Sequence, residues 1–186
     1  GIAEAGRGSI AGPVVASAVI LPKGFNNEFL NDSKKLTENK RLKLKTIIEK
    51  HALDFTVFFV KSNIIDEINI LKSTIKAMHG ALDNLDIKPS FILVDGNYFS
   101  DYKNIPYKSI IQGDGKYQNI AAASILAKTY RDNYMEELHV KFPVFGWNKN
   151  KGYGTSLHID MIKKFGKTEF HRKTFKLKRL QSQIEL

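Results

Sequence analysis

The clearest apolar pattern in the chain is the run at residues 13–22, PVVASAVILP, β-branched and bounded by Gly12-Pro13 and Pro22. Such a run predicts a buried strand. Residues 53–61, LDFTVFFVK, predict a second strand, and Ser90-Phe91-Ile92-Leu93-Val94 a short, largely apolar third. A strand of that last kind belongs inside a sheet covered on both faces. Residues 1–4 read as the end of a further strand. Elsewhere helical spacing takes over. Thr37 suits the N-cap of a helix over about 38–51, because its hydroxyl can accept a first-turn N–H. Ile70, Leu71, Ile75, Met78, Leu82 and Leu85 recur at helical period over 70–86, and Pro89 ends that unit. The longest helical pattern spans 118–141, where Ala121, Ala122, Ala123 and Ser124 are small enough for close packing on a sheet. After Pro143, an aromatic and glycine-rich loop precedes a helix at about 155–165, and the basic tail from 176 reads as helical.

Strands and helices alternate. This predicts an α/β fold with a central mixed β-sheet flanked by helices and a helical C-terminal part. The 186 residues suit one domain, with about 145–186 as its loop-and-helix extension. No repeat, low-complexity tract or linker interrupts the chain.

Composition narrows the class. Hydrophobic residues at 42% and charged residues at 26% argue for a packed globule over a disordered chain. No apolar run approaches the ~20 residues that a bilayer requires, and residues 1–7 lack the basic-then-apolar order of a secretion signal. There is no cysteine, so a disulfide framework and a thiolate zinc site are excluded. The expectation is a cytoplasmic monomer with no membrane contact.

The net charge of +10 favours a polyanionic partner, with solubility as the alternative reading. The basic residues fall in separate clusters at Lys34-Lys35, Lys40 to Lys45, Lys149 to Lys151 and Arg172 to Arg179, so no single basic tail accounts for the charge. Several clusters on one folded surface would suit a duplex.

Three carboxylates stand out. Asp95 follows the strand at 91–94, at the edge where open α/β sheets place their sites, although Asp95-Gly96-Asn97 is also turn chemistry. Asp114 lies in Gln112-Gly113-Asp114-Gly115, before the long helix, where a cap or turn role is the alternative. Glu4, in Glu4-Ala5-Gly6-Arg7-Gly8, could be merely solvated. An oxygen-only set with no cysteine and no paired histidines suits Mg²⁺ or Mn²⁺. In a basic protein this points to phosphate chemistry. Spacing alone does not establish that Glu4, Asp95 and Asp114 meet.

The ordered motifs carry a more specific reading. Gly1-Ile2-Ala3-Glu4-Ala5-Gly6-Arg7-Gly8, followed by Ala11-Gly12-Pro13-Val14-Val15-Ala16, resembles the opening of ribonuclease HII, whose pattern is G-I-D-E-A-G-R-G and A-G-P-V-V. Asp32-Ser33-Lys34-Lys35-Leu36, Val94-Asp95-Gly96-Asn97 and Gly113-Asp114 match the same family in order. So do Ala121 to Lys128 with Arg131-Asp132, Lys151-Gly152-Tyr153-Gly154-Thr155 with His158, and His171-Arg172 with Phe175. The resemblance spans essentially the whole chain. It implies a ribonuclease H fold and four acidic residues binding two divalent ions, of which Glu4, Asp95 and Asp114 are three. Ala3 stands where the family has the fourth, an aspartate. The resemblance therefore implies an endonuclease for the RNA strand of RNA–DNA hybrids and for single ribonucleotides in duplex DNA. Cleavage on the 5′ side would leave 3′-hydroxyl and 5′-phosphate ends, as a step of ribonucleotide excision repair. With Ala3 the chain is expected to be nearly inactive, and its parent active.

Gly6, Arg7 and Gly8 fit the recognition of a ribose 2′-hydroxyl by closely approaching backbone, with Arg7 on a neighbouring phosphate. Tyr153, between two glycines, can stack on a sugar or base, although most tyrosines are half-buried packing residues. Lys34 and Lys35 are candidate phosphate contacts or simply a solvated helix start. Asp132 is expected to pair with a basic neighbour, Phe145 and Trp147 to pack, and His158 to support its loop. The related HIII type has G-T-G at this loop and an extra N-terminal domain, so Arg7 and the short length favour HII. A sliding-clamp contact of the kind such enzymes allow would fall at Gln181 to Leu186. Two other readings are a resolvase- or integrase-type nuclease on the same fold, and a natural non-catalytic hybrid binder in which Ala3 is original to the gene.

Overall fold

The computed structural model describes residues 1–30 and 36–177. Its strands are β1 (Ile2–Ala5), β2 (Val14–Ile20), β3 (Asp54–Val60), β4 (Ile92–Asp95) and β5 (Tyr107–Ile110). Its α-helices are α1 (Glu38–His51), α2 (Ser62–Asp83), α3 (Gln118–Lys141), α4 (Trp147–Asn150) and α5 (Ser156–Phe165). The strands form one mixed sheet in the order β3-β2-β1-β4-β5. β1, β2 and β3 pair antiparallel, whereas β1–β4 and β4–β5 are parallel. The chain therefore has a central mixed sheet flanked by helices and a helical C-terminal part, as its pattern predicts.

Alternation along the strands divides the core. Ile2, Val14, Ala16 and Val94 pack with Met78, Ala81 and Leu82 of α2 on one face. Ala3 and Val19 pack with Ala121, Ala122, Ala123 and Ile125 of α3 and with Leu44 and Ile48 of α1 on the other. The alanines of α3 are fully buried, so this helix lies close against β1 and β2, which positions the loop ahead of its N-terminus beside β4. A third cluster, around Met135, Phe145, Trp147 and Ile159, joins the C-terminal helices to α3.

Local chemistry sets the helix ends. Thr37 Oγ1 accepts from the Lys40 N–H at 3.4 Å, and Thr155 Oγ1 from that of His158 at 3.3 Å, so both helices begin at a hydroxyl cap. The helix predicted at 70–86 starts earlier, at Ser62. It is broken at Asn69, whose φ of 67° is left-handed and whose Oδ1 accepts from the Leu71 and Lys72 N–H groups. The second half thus has its own cap. β5 was not predicted, because Tyr107-Lys108-Ser109-Ile110 is a mostly exposed edge strand without apolar alternation. No helix among the described residues is long and apolar enough to cross a membrane.

Candidate functional site

The predicted carboxylates come together at one end of the sheet. Asp95 is the last residue of β4 rather than the residue after it, and its Oδ1 accepts from the Gly113 N–H at 3.0 Å. That bond draws the 3₁₀ turn Gly113–Gly115 against the strand end and seats Asp114, which is buried. Glu4 is on β1, the neighbouring strand. Glu4, Asp95 and Asp114 line one cleft of about 270 Å³ together with Arg7, Asn97 and Gln112. A second hollow of about 410 Å³ shares Glu4, Arg7 and Asp95 and continues past Gly6, Gly8, Ser124 and Lys128 to Tyr153. The two hollows adjoin at Glu4, Arg7 and Asp95, which line both, with Asp114 in the first and the glycine loop and Tyr153 in the second.

Register sets the surroundings of position 3. Ile2 is the partner of Val94 in the parallel β1–β4 pair, and both side chains enter the core under α2. One residue on, positions 3 and 95 lie side by side on the α3 face, a strand spacing of about 4.8 Å apart. A carboxylate at position 3 would neighbour that of Asp95. Instead Ala3 puts a fully buried methyl there. Among the described residues, no three His, Asp or Glu side chains stand close enough to hold a cation. The lining carboxylates are hard oxygen donors, of the kind that suits a divalent ion.

The glycine loop is built from beneath. Gly6 has φ +89°, and a Cβ there would fall 2.1 Å from Arg131 Nε, so only glycine fits. Arg172, fully buried, donates to the carbonyls of Gly6, Arg7 and Gly12 at 2.6, 2.8 and 3.1 Å. Arg131, also buried, donates to Pro13, Ala11 and Lys151 carbonyls and to Ser9 Oγ. Burial pulls both guanidinium pKa values down, and Arg131 adds to the effect on Arg172. Arg7 itself reaches outward, half-exposed, with its Nη1 3.9 Å from Glu4 Oε1.

Tyr153 closes the far side. The Gly152 carbonyl accepts from the Ile10 and Ala11 N–H groups at 2.9 and 3.1 Å, fastening this loop to the chain just after the glycine loop. Tyr153 is 42% exposed, has the Arg131 guanidinium 5.6 Å from its ring centroid, and sets its ring beside Gly8. Half-exposure places it at a surface and not in the core.

Other predicted roles separate cleanly. Asp132 lies 3.8 Å from Arg41 and 3.9 Å from Lys128, and burial raises its pKa against the pull of these cations. Phe145 and Trp147 are buried and stacked, as packing residues. His158 supports the Tyr153 loop through Nδ1 at 2.8 Å from its carbonyl. Lys34, Lys35 and the stretch Gln181 to Leu186 lie outside the described residues. Two expectations about charge are corrected. Arg172 is a buried clamp and not part of a basic surface, and Lys151 is largely covered by ion pairs with Glu136 and Glu38. Sequence reasoning missed Ser124 and Lys128 as groove residues; their signal was the i, i+4 spacing on a helix whose other residues are small.

The fold and the carboxylate groove define a ribonuclease H-like protein. The chain superposes on ribonuclease H2 from Pyrococcus horikoshii OT3 with a TM-score of 0.80 and 28% identity, covering 95% of this chain and 93% of that one. It also superposes on ribonuclease HII of Archaeoglobus fulgidus in its PCNA complex, at 0.75 and 26% identity over 96% and 95%. Bst ribonuclease HIII in complex with Mn²⁺ shares the fold at 0.72 and 16% identity, over 94% of this chain and 66% of that one. The ribonuclease HII family matches residues 1–178. Ribonuclease HII of Bacteroides thetaiotaomicron is 56% identical over 177 residues, 95% of this chain and 88% of the relative. That of Phocaeicola vulgatus is 53% identical over 186 residues, 100% of this chain and 92% of the relative. The chain belongs to the ribonuclease HII family, endoribonucleases that cleave RNA in RNA–DNA hybrids.

Proposed function

We propose that the groove binds RNA–DNA hybrids and duplex DNA carrying single ribonucleotides. In the form with aspartate at position 3, it cuts the strand 5′ of a ribonucleotide. Attack of water on that phosphorus breaks the P–O3′ bond and leaves a 3′-hydroxyl and a 5′-phosphate. Glu4, Asp95 and Asp114, with the aspartate at 3, would hold two divalent ions, Mg²⁺ or Mn²⁺. Such ions activate the water and offset charge on the leaving oxygen. With Ala3 the chain keeps its recognition surface and loses most turnover. Ala3 is the substitution expected of a form made to hold substrate uncut.

The observation that carries this reading is one groove lined by Glu4 and Asp95, by Gly6, Arg7 and Gly8, and by Tyr153. Gly8 leaves open space except for Tyr153 Cε1, 3.8 Å from where its Cβ would be. A nucleic-acid backbone can therefore lie against the loop, with the 2′-hydroxyl at its peptide groups. Arg7 and Lys128 supply charge for the flanking phosphates. The Tyr153 ring stacks on the next sugar. We place the protein in the cytoplasm as a monomer of one domain. Fluorescence anisotropy tests the recognition without catalysis. The chain as it stands should bind a duplex with one ribonucleotide more tightly than the same all-DNA duplex, and Tyr153→Ala should reduce that preference about tenfold or more. Equal affinity for the two duplexes would defeat the reading.

A further inference from the structure

Behind Tyr153 lies a chain of buried polar groups that the cleavage site does not use. Trp147, the one tryptophan of the sequence, donates from Nε1 to His158 Nε2 at 3.0 Å. His171 Nε2 is 3.1 Å from that same atom. His158 Nδ1 is 2.8 Å from the Tyr153 carbonyl oxygen, and His171 Nδ1 accepts from the Thr168 N–H at 2.9 Å. Both imidazoles are buried, at 0% and 1% exposure.

Donor logic assigns the protons. An indole N–H only donates, so His158 Nε2 is bare and its proton is on Nδ1, given to the Tyr153 carbonyl. The Thr168 backbone N–H likewise leaves His171 Nδ1 bare, so the His171 proton is on Nε2, aimed at His158. This arrangement gives every ring nitrogen a partner, with the single lone pair of His158 Nε2 shared between the Trp147 and His171 N–H groups. An imidazolium at His158 would set its Nε2–H against the Trp147 N–H, and one at His171 would set its Nδ1–H against the Thr168 N–H, beside the Thr168 hydroxyl 2.9 Å from the same nitrogen. The Tyr153 carbonyl also accepts from the Thr155 N–H at 2.9 Å, so the backbone that bears the ring is held by two donors. Lys167, whose Nζ donates to the Arg172 and Lys173 carbonyls, is the cation facing His171.

We propose that His158 and His171 are positioning residues for ribonucleotide recognition: their hydrogen-bond chain, in a single tautomeric arrangement, orients the Tyr153 backbone and so holds its ring against the substrate sugar. The inference rests on the role given to Tyr153 above. Neither histidine faces the groove, so both act through Tyr153. A mere packing role would make the nitrogens interchangeable with carbon and would affect all duplexes alike.

Two measurements on the chain as it stands decide the matter. Nitrogen-15 NMR of the imidazoles at neutral pH should show His158 protonated at Nδ1 and His171 at Nε2; the opposite tautomers, or a charged ring, overturn the proposal. Anisotropy then compares a single-ribonucleotide duplex with its all-DNA counterpart. His158→Leu keeps the bulk and loses both nitrogens, and should shrink the ratio of affinities about as much as Tyr153→Ala. The double variant should lose little more than either alone, because both act on one contact. His158→Asn, whose amide nitrogen can replace Nδ1, should retain most of the ratio. If His158→Leu fails to fold by circular dichroism, His171→Asn serves: it keeps the Thr168 contact, cuts the link to His158, and should show the same loss. If Tyr153→Ala loses the preference and the histidine variants do not, or if they weaken both duplexes equally, this proposal falls and Tyr153 keeps its role. If Tyr153→Ala itself loses nothing, the role of Tyr153 falls, and the proposal with it.

Discussion

The guanidinium of Arg172 donates to the carbonyl oxygen of Gly6 at 2.6 Å, across 166 positions of sequence. With the bonds to Arg7 and Gly12, it turns the carbonyls of the glycine loop inward and fixes the loop beneath the groove. A buried cation satisfied by main-chain oxygens leaves several unpaired acceptors when removed.

Arg172→Gln should therefore lower stability by about 3 kcal/mol. It should also weaken the preference for ribonucleotide-containing duplex, because the loop is no longer fixed. Urea denaturation and anisotropy check the two effects; an unchanged urea midpoint would show that the clamp contributes nothing.

The two glycines of the loop should behave oppositely. Gly6→Ala meets Arg131 and a left-handed backbone, so it should destabilise by about 2 kcal/mol or more. Gly8→Ala meets only Tyr153 Cε1, at an ordinary contact distance of 3.8 Å, so stability should stay within about 0.5 kcal/mol. Its methyl would nevertheless project toward Tyr153, into the space assigned to the substrate, and duplex affinity should fall. Normal binding by Gly8→Ala would remove the close approach from the account.

Acid should expose the histidine chain. Burial, followed by the neighbouring His158 and Lys167, lowers the His171 pKa from 6.5 to about 4. Between those values the unfolded chain binds a proton that the folded chain does not. The contribution is therefore complete above pH 6.5 and is lost as pH falls toward 4, up to about 3 kcal/mol. Urea midpoints at pH 7.5 and 4.5 should drop less in His171→Asn than in its parent. Identical drops would contradict the assignment.

Position 3 can be probed without turnover. Ala3→Asp places a carboxylate in a buried site beside Asp95. Without divalent ions this should cost about 2 kcal/mol or more. Mg²⁺ or Mn²⁺ should restore most of it, because a ligand bound only by the folded state raises its stability. Thermal unfolding with and without the ion provides the check, and a melting temperature indifferent to the ion would count against the shared site.

What was legible in the sequence followed from local rules. Thr37 and Thr155 cap their helices because a hydroxyl beside a first turn acts over three residues, and α3 was evident from its length and small face. The first half of α2 was hidden because Asn69 resets the helical phase, and β5 because an exposed edge strand carries no apolar alternation. In the site, Glu4, Asp95 and Asp114 were identified by motif, but their convergence depends on the β1–β4 register and the Gly113 bond, which no local pattern encodes. Arg172 was misread as surface charge for the same reason: its acceptors come from the opposite end of the chain.

The central claim is that the groove is a metal-dependent ribonuclease site lacking one ligand. The most direct measurement is cleavage of an RNA–DNA hybrid by the Ala3 protein and by Ala3→Asp, each with Mg²⁺ and with Mn²⁺. The account predicts a rise of orders of magnitude in Ala3→Asp, dependent on the ion and abolished again by Asp95→Asn or Asp114→Asn. Equal cleavage by the Ala3 protein and by Ala3→Asp would contradict it.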